Sequence, residues 1–168
     1  MDGSGKPLTE LTQGVAGLLI RRGETIAVSE SSMGGLVSAA LVAIPGASKY
    51  YLGGATIYTH ESRMQLLGIG KQALQGIRPA TEAYALLCAR SIRQRLGSTW
   101  ALAETGATGP TTNPYMDPPG TAWIALVGAP GTGYLEKTLR IETGDNDREQ
   151  NMWAFARQAL TFVRDTLS

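Results

Sequence analysis

The sequence predicts an α/β domain of three layers, in which helices cover both faces of a mixed, mostly parallel β-sheet. Runs with helical apolar spacing alternate with short apolar runs along the first two-thirds of the chain. Two strand patterns then follow one another with only the turn APGT between them, which predicts an antiparallel hairpin. No internal repeat or linker interrupts the pattern. We therefore expect a short tail over residues 1–8 and a single domain over residues 9–168.

The elements of the N-terminal half follow from their apolar spacing and their end signals. LTELTQGVAGLLIRR (8–22) has helical spacing, with two arginines in its last turn and Gly23 as its stop. TIAVS (25–29) is typical of a short buried strand, and Pro45 ends the helical pattern that follows it. The predicted elements up to Gly70 are helix 8–22, strand 25–29, helix 36–44, strand 53–59 and a helix that begins near Thr59 or His60.

The elements of the C-terminal half have similarly clear ends. Pro79 precedes and Gly97 follows a helical run that begins near Thr81. STWALAET (98–105) is predicted as the third strand, and a loop rich in Gly, Pro and Thr covers residues 105–120. Asp147 is a candidate N-cap. The remaining predicted elements are the hairpin strands 121–128 and 133–143 and a last helix over about 148–167.

One cysteine and one histidine limit the chemistry of the chain. Cys88 and His60 cannot supply the three or four ligands of a usual zinc site, and a single cysteine cannot form a disulfide within the chain. The apolar helical run around Cys88 predicts that this thiol is a core side chain. We therefore expect no metal and no cofactor. Any chemistry must depend mainly on hydroxyls, carboxylates, Lys, Arg and backbone amides.

The charge of the chain indicates no attraction to polyanions. The net charge is +1 and only 17% of the residues are charged, against about 25% in typical proteins. No nucleic-acid partner and no membrane partner are expected. No apolar run approaches the ~20 residues of a membrane span, and the N-terminal sequence MDGSGKPLTE does not resemble a signal peptide. We expect a cytoplasmic protein whose partner is a small molecule.

Three clusters of hydroxyl residues and glycines lie at the ends of predicted strands. SESSMGG (29–35) follows the first strand, TGATGP (105–110) follows the third, and PGT (119–121) opens the fourth. Ligands of α/β sheets bind at the carboxyl ends of the parallel strands, and a helix that opens at Gly34-Gly35 favours an anion. Such clusters also occur as sharp turns with capping serines. Because more than one cluster follows a parallel strand, we favour a ligand site.

Five runs of the sequence resemble motifs of the CinA C-terminal domain family, which includes bacterial nicotinamide-nucleotide amidase. The resemblance covers residues 9–166, and it implies the family's α/β fold. A full-length CinA has a further N-terminal domain, so the chain resembles a diverged, stand-alone C-terminal domain. The runs are, in order, ESSMGG, PGASKYYLGGATIYTHES, ETGATGP, PPGTAW and TGD.

The resemblance implies an amidase that uses a serine and a lysine. Enzymes of this type hydrolyse the carboxamide of nicotinamide mononucleotide to nicotinic acid mononucleotide and ammonia. The serine of the family's G-x-S segment corresponds to Ser48, but the lysine expected fifteen residues later is Arg63. Arginine keeps its proton and is a poor general base. Arg63 could instead orient Ser48, hold a substrate anion or stabilise an oxyanion.

His60 and Tyr58 are the candidates to replace the missing base. Both lie in the segment YTHESR that ends at Arg63. Histidine is the side chain that most readily acts as a general base near neutral pH, and His60 lies three residues before Arg63, on the same face of a helix. Alternatively, His60 is a surface residue or a helix cap, and Tyr58 is an aromatic residue packed at a strand end.

Other motif positions also differ from the family pattern. Met33 stands where the family has a threonine, and Thr108 adds a hydroxyl. The family's G-D-R becomes Gly144-Asp145-Asn146, and a second expected arginine falls on Gln150 or Asn151, with Arg148 nearby but out of register. If those arginines hold a nucleotide phosphate, two phosphate contacts are missing. We infer either a substrate without that phosphate or a loss of catalysis.

These observations combine into one functional prediction. We expect a serine-dependent amidohydrolase that cleaves a carboxamide, lactam or related C–N bond, in a homodimer or a larger homo-oligomer. The alternative is an inactive ligand-binding or regulatory domain on the same fold. The expected catalytic residues are Ser48, Tyr58, His60 and Arg63. The expected substrate-binding residues are Glu30, Ser31, Ser32, Met33, Gly34, Gly35, Thr105, Gly106, Ala107, Thr108, Gly109 and Thr121.

Overall fold

The computed structural model describes residues 8–131 and 133–168 of the chain. The expected tail lies outside these ranges except for Leu8, which is buried as the first residue of a helix. The helices are α1 (Leu8–Arg22), α2 (Leu36–Val42), α3 (His60–Ser62), α4 (Glu82–Leu96) and α5 (Arg148–Leu167). The strands are β1 (Ile26–Glu30), β2 (Tyr51–Thr56), β3 (Trp100–Ala107), β4 (Thr121–Gly128) and β5 (Leu135–Glu142).

The five strands form one mixed sheet in the order β2-β1-β3-β4-β5. β1 pairs in parallel with both β2 and β3, whereas β4 pairs antiparallel with β3 and with β5. The parallel part of the sheet is therefore confined to β2, β1 and β3. The turn between β4 and β5 is the predicted hairpin connection, and its residue 132 lies outside the described residues.

Helices cover both faces of the sheet, which confirms the predicted three-layer α/β fold. Alternate strand residues point to opposite faces. Large side chains such as Val28, Trp100 and Leu102 pack against α1, α2 and α5. The opposite face carries small residues, including Ala27 and Ala101, which pack against α4. The carboxyl ends of β1, β2 and β3 meet at one edge of this sandwich.

Local capping residues determine where several helices begin and end. The Thr81 and Asp147 side chains accept hydrogen bonds from backbone amides in the first turns of α4 and α5. Gly97 ends α4 in the left-handed conformation, with φ of 65°. Thr59 caps α3, which continues directly into a π-helical turn, Arg63–Leu67. No helix within the described ranges is long and apolar enough to cross a bilayer.

Candidate functional site

A cavity of about 320 Å³ opens at the carboxyl ends of the parallel strands, on the side of the sheet that faces α4. Ser31 follows β1, Tyr58 follows β2, and Thr105 lies near the end of β3, and all three line the cavity. A smaller cavity of about 190 Å³ adjoins it and shares Tyr58 and Gly106 with it. The predicted position of a ligand site at this edge of the sheet therefore coincides with the observed cavities.

The turn that presents Ser31 is held by the buried carboxylate of Glu104. Oε2 of Glu104 accepts hydrogen bonds from the backbone amides of Ser31 and Met33, each at 3.0 Å. The Ser32 hydroxyl donates to Oε1 of the same carboxylate. Desolvation raises the pKa of Glu104 above its ordinary value. Glu104 was not among the predicted site residues, although a lone carboxylate in the apolar strand pattern WALAET is a signal for such a role.

Glu30 holds the other end of the same turn. Its carboxylate accepts hydrogen bonds from the amides of Gly35, Val37 and Ser38 at 3.0, 3.1 and 2.8 Å, and from the Ser38 hydroxyl at 2.6 Å. These amides belong to the first turn of α2, where backbone N–H groups have no partners within the helix. The predicted contact of Glu30 with substrate is therefore corrected, because its carboxylate is fully engaged in capping α2.

Only two of the five residues predicted after Glu30 line a cavity. Ser31 lines the larger cavity and Ser32 the smaller one. Met33 is fully buried in the apolar core beneath α2, so its predicted contact with substrate is wrong. Gly34 and Gly35 have φ of 69° and 101°, and they form the left-handed turn into α2. Neither glycine lines these two cavities.

Arg63 lines the larger cavity and is almost completely buried, with 5% of its surface exposed. Its Nε donates to the Ile69 carbonyl at 3.2 Å, which fixes the plane of the guanidinium. The phenol of Tyr84, on α4, faces this group, and burial raises the pKa of Tyr84 to about 12. Among the described residues, no carboxylate lies within ion-pair distance of Arg63. Tyr84 was not among the predicted site residues, because in the sequence it lies in the apolar stripe of a helix.

His60 and Tyr58 both line the larger cavity and are exposed. His60 is the first residue of α3, on the same short segment as Arg63. Tyr58 is 62% exposed, and its hydroxyl accepts a hydrogen bond from Nη2 of Arg148 at 2.8 Å. The structure therefore brings His60, Tyr58 and Arg63 together, as the sequence predicted, and adds Arg148 to the group.

Arg148 lines the smaller cavity despite its shifted position in the sequence. Its Nη1 donates to the Gly109 carbonyl at 2.9 Å, which anchors the side chain over the loop after β3. Asn151, one of the two positions where an arginine was expected, is buried and donates to the Thr108 and Asp145 carbonyls, each at 2.9 Å. Asn151 is thus structural, and the cationic group at the smaller cavity comes from Arg148.

The predicted residues at the end of β3 and in the loop that follows it divide between the two cavities. Thr105 and Gly106 line the larger one, and Ala107, Thr108 and Gly109 line the smaller one, which Gly106 also borders. The Thr105 hydroxyl oxygen accepts a hydrogen bond from the Ala80 amide at 3.0 Å, so its proton is available to a ligand. A Cβ on Gly106 would lie 2.6 Å from the Thr121 carbonyl, so β3 and β4 can approach this closely only with glycine here.

Thr121 lies outside both cavities. Its hydroxyl donates to the Pro118 carbonyl at 2.7 Å and closes the turn into β4. The side chain borders a separate pocket of about 40 Å³. The predicted contact of Thr121 with substrate is therefore corrected, because the hydroxyl already has a partner in the turn.

Ser48 lies at the opposite edge of the sheet. It is an exposed residue of the short 3₁₀ turn Ala47–Lys49, which precedes the amino end of β2. The six residues of β2 separate this turn from the cavity, and such a strand spans about 17 Å. The expected pairing of Ser48 with Arg63 is therefore corrected, and Ser31 is the serine that lines the same cavity as Arg63.

The donor set at the cleft does not resemble a metal centre. In the described part of the chain, no group of three or more His, Cys, Asp and Glu residues could hold a metal ion. Cys88 is buried on α4, and burial raises the pKa of its thiol to about 12. The groups that the larger cavity presents to a ligand include the hydroxyls of Ser31, Thr105 and Tyr58, the imidazole of His60 and the guanidinium of Arg63.

Comparison with known proteins gives consistent matches over nearly the whole chain. The model of the CinA C-terminal domain matches residues 8–167. A CinA-like protein of Gloeobacter violaceus is 38% identical over 134 residues, which are 80% of this chain and 32% of the relative. A CinA-like protein of Salinibacter ruber is 34% identical over 166 residues, which are 99% of this chain and 39% of the relative. The matched part of the chain thus spans 32% and 39% of the length of these relatives.

Solved structures show the same fold. The structure of a CinA superfamily protein from Klebsiella pneumoniae superposes with a TM-score of 0.87 at 27% identity, covering 96% of this chain and 98% of the other. The structure of the competence/damage-inducible protein CihA from Agrobacterium tumefaciens superposes with a TM-score of 0.86 at 26% identity, covering 99% of each chain.

Proposed function

The chain belongs to the CinA C-terminal domain family, and we propose on this basis that it is a serine-dependent amidohydrolase of a small molecule. The bond cleaved is the C–N bond of a carboxamide, a lactam or a related compound. The observation that supports this proposal is the meeting of Ser31, His60, Arg63 and Thr105 around one cavity at the carboxyl ends of the parallel strands. Ser31 takes the role that the sequence assigned to Ser48.

Ser31 has the environment that a nucleophile requires. Its backbone amide is fixed by Glu104, and no group of the described residues forms a hydrogen bond with its hydroxyl. The side chain is half-buried and lines the cavity, so the hydroxyl is held in position and open to a ligand. A nucleophile on a rigid turn loses little freedom when the substrate binds.

The reaction that we propose has two steps. The Ser31 oxygen attacks the carbonyl carbon, its proton passes to His60, and the Thr105 hydroxyl donates to the developing oxyanion. The C–N bond breaks as His60 returns the proton to the leaving amine, which leaves an acyl ester on Ser31. Water activated by His60 then hydrolyses the ester, releases the acid and restores the serine. Arg63 and Tyr58 position the substrate.

The second candidate function is ligand binding without turnover. Arg63 favours it, because a buried arginine stands where the family lysine would act and cannot accept a proton. Release of ammonia from nicotinamide mononucleotide and from a panel of small amides distinguishes the two functions. Thermal stabilisation by a ligand, with no amide turned over, would favour binding.

Two alanine substitutions test the assignment of the nucleophile. We expect Ser31→Ala to lower the turnover of an amide by about 10³-fold or more, because removal of a catalytic serine abolishes the acyl-enzyme route. Ser48→Ala, at the far edge of the sheet, is the matched control and should keep the wild-type rate. The assignment fails if Ser31→Ala remains active, or if Ser48→Ala is the inactive variant while its circular dichroism spectrum is that of the folded protein.

A third variant tests the base. His60→Gln keeps the size and polarity of the side chain but removes its acid–base chemistry. We expect a large loss of turnover in this variant, because the proton of the Ser31 hydroxyl then has no basic acceptor in the proposed mechanism. Unchanged turnover across pH would remove His60 from the mechanism and leave the Ser31 assignment intact.

The expected assembly, which depends on the family resemblance, and the expected compartment remain predictions. A homodimer or a larger homo-oligomer is expected. Size-exclusion chromatography with light scattering measures the mass of the particle directly, and a monomeric mass would contradict the prediction. Cell fractionation tests the expected cytoplasmic location.

A further inference from the structure

Arg63 is a buried charge whose counter-ion is missing from the described residues. Only 5% of its surface is exposed, yet no carboxylate in the described ranges forms an ion pair with it. The hydrogen bond from its Nε to the Ile69 carbonyl involves one of the five N–H donors of the guanidinium. A buried charge without a partner is costly, and buried charges in proteins are normally paired. A ligand in the cavity is the remaining source of a partner.

The two buried titratable side chains beside Arg63, Tyr84 and Cys88, carry no negative charge near neutral pH. Burial raises the pKa of Tyr84 to about 12 and that of Cys88 to about 12, so both stay protonated. Glu61 lies two residues before Arg63 and borders the cavity, but it is exposed and forms no ion pair with Arg63. Glu104 points to the opposite face of the sheet, where it holds the turn after β1. The electrostatic environment of the guanidinium therefore favours an anion.

The cavity matches a carboxylate better than a phosphate. Besides Arg63, the polar groups on its wall include the hydroxyls of Ser31, Thr105 and Tyr58, the imidazole of His60 and the exposed carboxylate of Glu61, and Ile57 and Pro79 contribute apolar surface. A phosphate has three oxygens to satisfy and usually collects several N–H donors. A carboxylate has two oxygens in one plane, and the planar fork of arginine matches them with two parallel hydrogen bonds. A volume of about 320 Å³ is at the small end of ligand pockets.

From these contacts we infer that Arg63 is a carboxylate-binding residue, and that the ligand of the larger cavity is a small molecule with a carboxylate group. The inference extends the proposed function and rests on it in one respect, because the substrate then becomes an amide that also bears a carboxylate. The guanidinium binds the carboxylate, and the amide carbonyl lies at Ser31 and Thr105. This role explains why the residue is arginine rather than lysine. The ammonium group of lysine cannot form two parallel hydrogen bonds with a carboxylate, as the planar guanidinium does.

Binding of two pairs of simple probes tests this inference without any turnover. The pairs are benzoate with benzamide and propionate with propionamide, each pair nearly equal in shape and different in charge. Isothermal titration and thermal shift measure binding to the whole chain. We expect each carboxylate to bind at least about tenfold tighter than its amide, as one charge-assisted hydrogen-bond pair allows, and to raise the melting temperature of the wild-type protein.

Three variants locate the binding site of the probes. Arg63→Met replaces the buried charge by an apolar side chain of similar length, which should keep the fold, and we expect it to abolish the preference for carboxylates. Arg63→Lys keeps the charge but not the fork, and should weaken carboxylate binding about tenfold or more. Arg21→Met, on the exposed surface of α1, makes the same change in net charge and should bind like the wild type.

The results separate this inference from the proposed function. Carboxylate binding that requires Arg63 and persists in Ser31→Ala supports the inference, whether or not any amide is hydrolysed. The inference is overturned if neither carboxylate binds tighter than its amide, if Arg63→Met binds both carboxylates like the wild type, or if inorganic phosphate displaces the carboxylates at lower concentration. Failure of the proposed function would instead appear as undiminished amide turnover in Ser31→Ala.

Discussion

A single residue, Glu104, positions the site by binding the backbone amides of the turn after β1. Its carboxylate accepts hydrogen bonds from Ser31, Ser32 and Met33, and it is buried to 99%. These contacts determine the position of the Ser31 hydroxyl, although Glu104 itself lies on the other face of the sheet. Buried polar groups that are fully satisfied specify one local arrangement. Glu104 is therefore a positioning residue for the proposed nucleophile.

Glu104→Gln should change how stability depends on pH. Burial raises the pKa of Glu104 above the ordinary 4.5, so the folded protein binds this proton more tightly than the unfolded chain. The stability from this group is complete below pH 4.5 and is lost as pH rises through the folded pKa. Glutamine imitates the neutral form at every pH. We therefore expect the free energy of unfolding of the variant, relative to the wild type, to rise with pH.

Urea unfolding at several pH values between 4 and 8 measures this difference. The exposed Glu149→Gln is the matched control, and it should follow the wild type. A difference between Glu104→Gln and the wild type that stays constant over this range would contradict the prediction. A difference in the free energy of unfolding that does not vary with pH would reflect only the altered hydrogen bond to Ser32.

At the scale of elements, the loop between β3 and β4 forms one wall of the larger cavity and is held by a small polar cluster. Arg78 donates to both carboxylate oxygens of Asp117, at 2.7 and 3.0 Å. The Asn113 side chain donates to Asp117 at 2.8 Å, and its oxygen accepts from the amides of Tyr115 and Asp117. The Arg78 guanidinium also lies 5.3 Å from the centre of the Tyr115 ring. This cluster positions Tyr115 and Asn113 at the cavity.

Asp117→Asn should loosen this loop with little loss of global stability. Exposed ion pairs contribute about 0–1 kcal/mol, and the Arg78 side chain is 43% exposed. We expect faster limited proteolysis within the loop and weaker ligand binding, while the melting temperature changes little. Asp165→Asn, which breaks an exposed ion pair with Arg164 in α5, is the matched control and should leave loop cleavage unchanged. Equal cleavage rates in Asp117→Asn and the wild type would contradict this role.

The Arg78–Asp117 pair also predicts a response to acid. The hydrogen bonds from Arg78 hold the pKa of Asp117 below its ordinary value of 3.8. Its contribution is therefore present above pH 3.8 and is lost as pH falls through the folded pKa. Loop cleavage by an acid-stable protease should accelerate in that range in the wild type, and less so in Asp117→Asn.

At the scale of the whole molecule, two apolar cores on opposite faces of the sheet support one edge that carries the cleft. The larger core joins α1, α2 and α5 to the sheet, and the smaller joins α4 and the segment after β2 to the sheet. β1 and β3 contribute side chains to both cores. The position of the cleft residues on these strands therefore depends on packing throughout the domain.

Leu102→Ala tests this dependence. Leu102 is fully buried in the centre of β3, and a buried leucine replaced by alanine typically costs about 2–5 kcal/mol of stability. We expect denaturant unfolding to show a loss of this size. Leu52→Ala, on the edge strand β2 with Leu52 42% exposed, is the control and should change stability by about 0.5 kcal/mol or less. Similar losses in both variants would contradict the packing argument.

The sequence predicted those parts of the fold whose signals are local. The bounds of α1, α5 and β4 agree with the predicted ranges 8–22, 148–167 and 121–128, because caps, glycine stops and apolar periods lie within the elements themselves. Strand ends that depend on pairing with a distant segment differ from the predicted ranges. β3 extends to Ala107, two residues further than predicted, because it pairs with the start of β4 at Thr121.

The candidate site was predicted only in part, because its motifs are local signals but some of its contacts join distant segments. The motif segments indicated the carboxyl ends of the parallel strands, where His60, Tyr58 and Arg63 line one cavity. They did not indicate Glu104 or Tyr84, which resemble ordinary strand and helix residues in the sequence. Arg148 was displaced in the motif alignment, yet its long side chain reaches Tyr58. A contact between side chains of two distant elements leaves no pattern in the amino-acid sequence.

The fold class, most of the helix bounds and the family to which the chain belongs follow from patterns within short segments, so they can be read from the amino-acid sequence. The three-dimensional arrangement was needed to show that Ser31 rather than Ser48 shares a cavity with Arg63, and that Arg63 is a buried cation without a carboxylate partner among the described residues. Ser31 and Ser48 both lie near strand ends, but at opposite edges of the sheet. Which edge a residue occupies, and which charges lie beside it, depends on contacts between segments that are distant in the sequence.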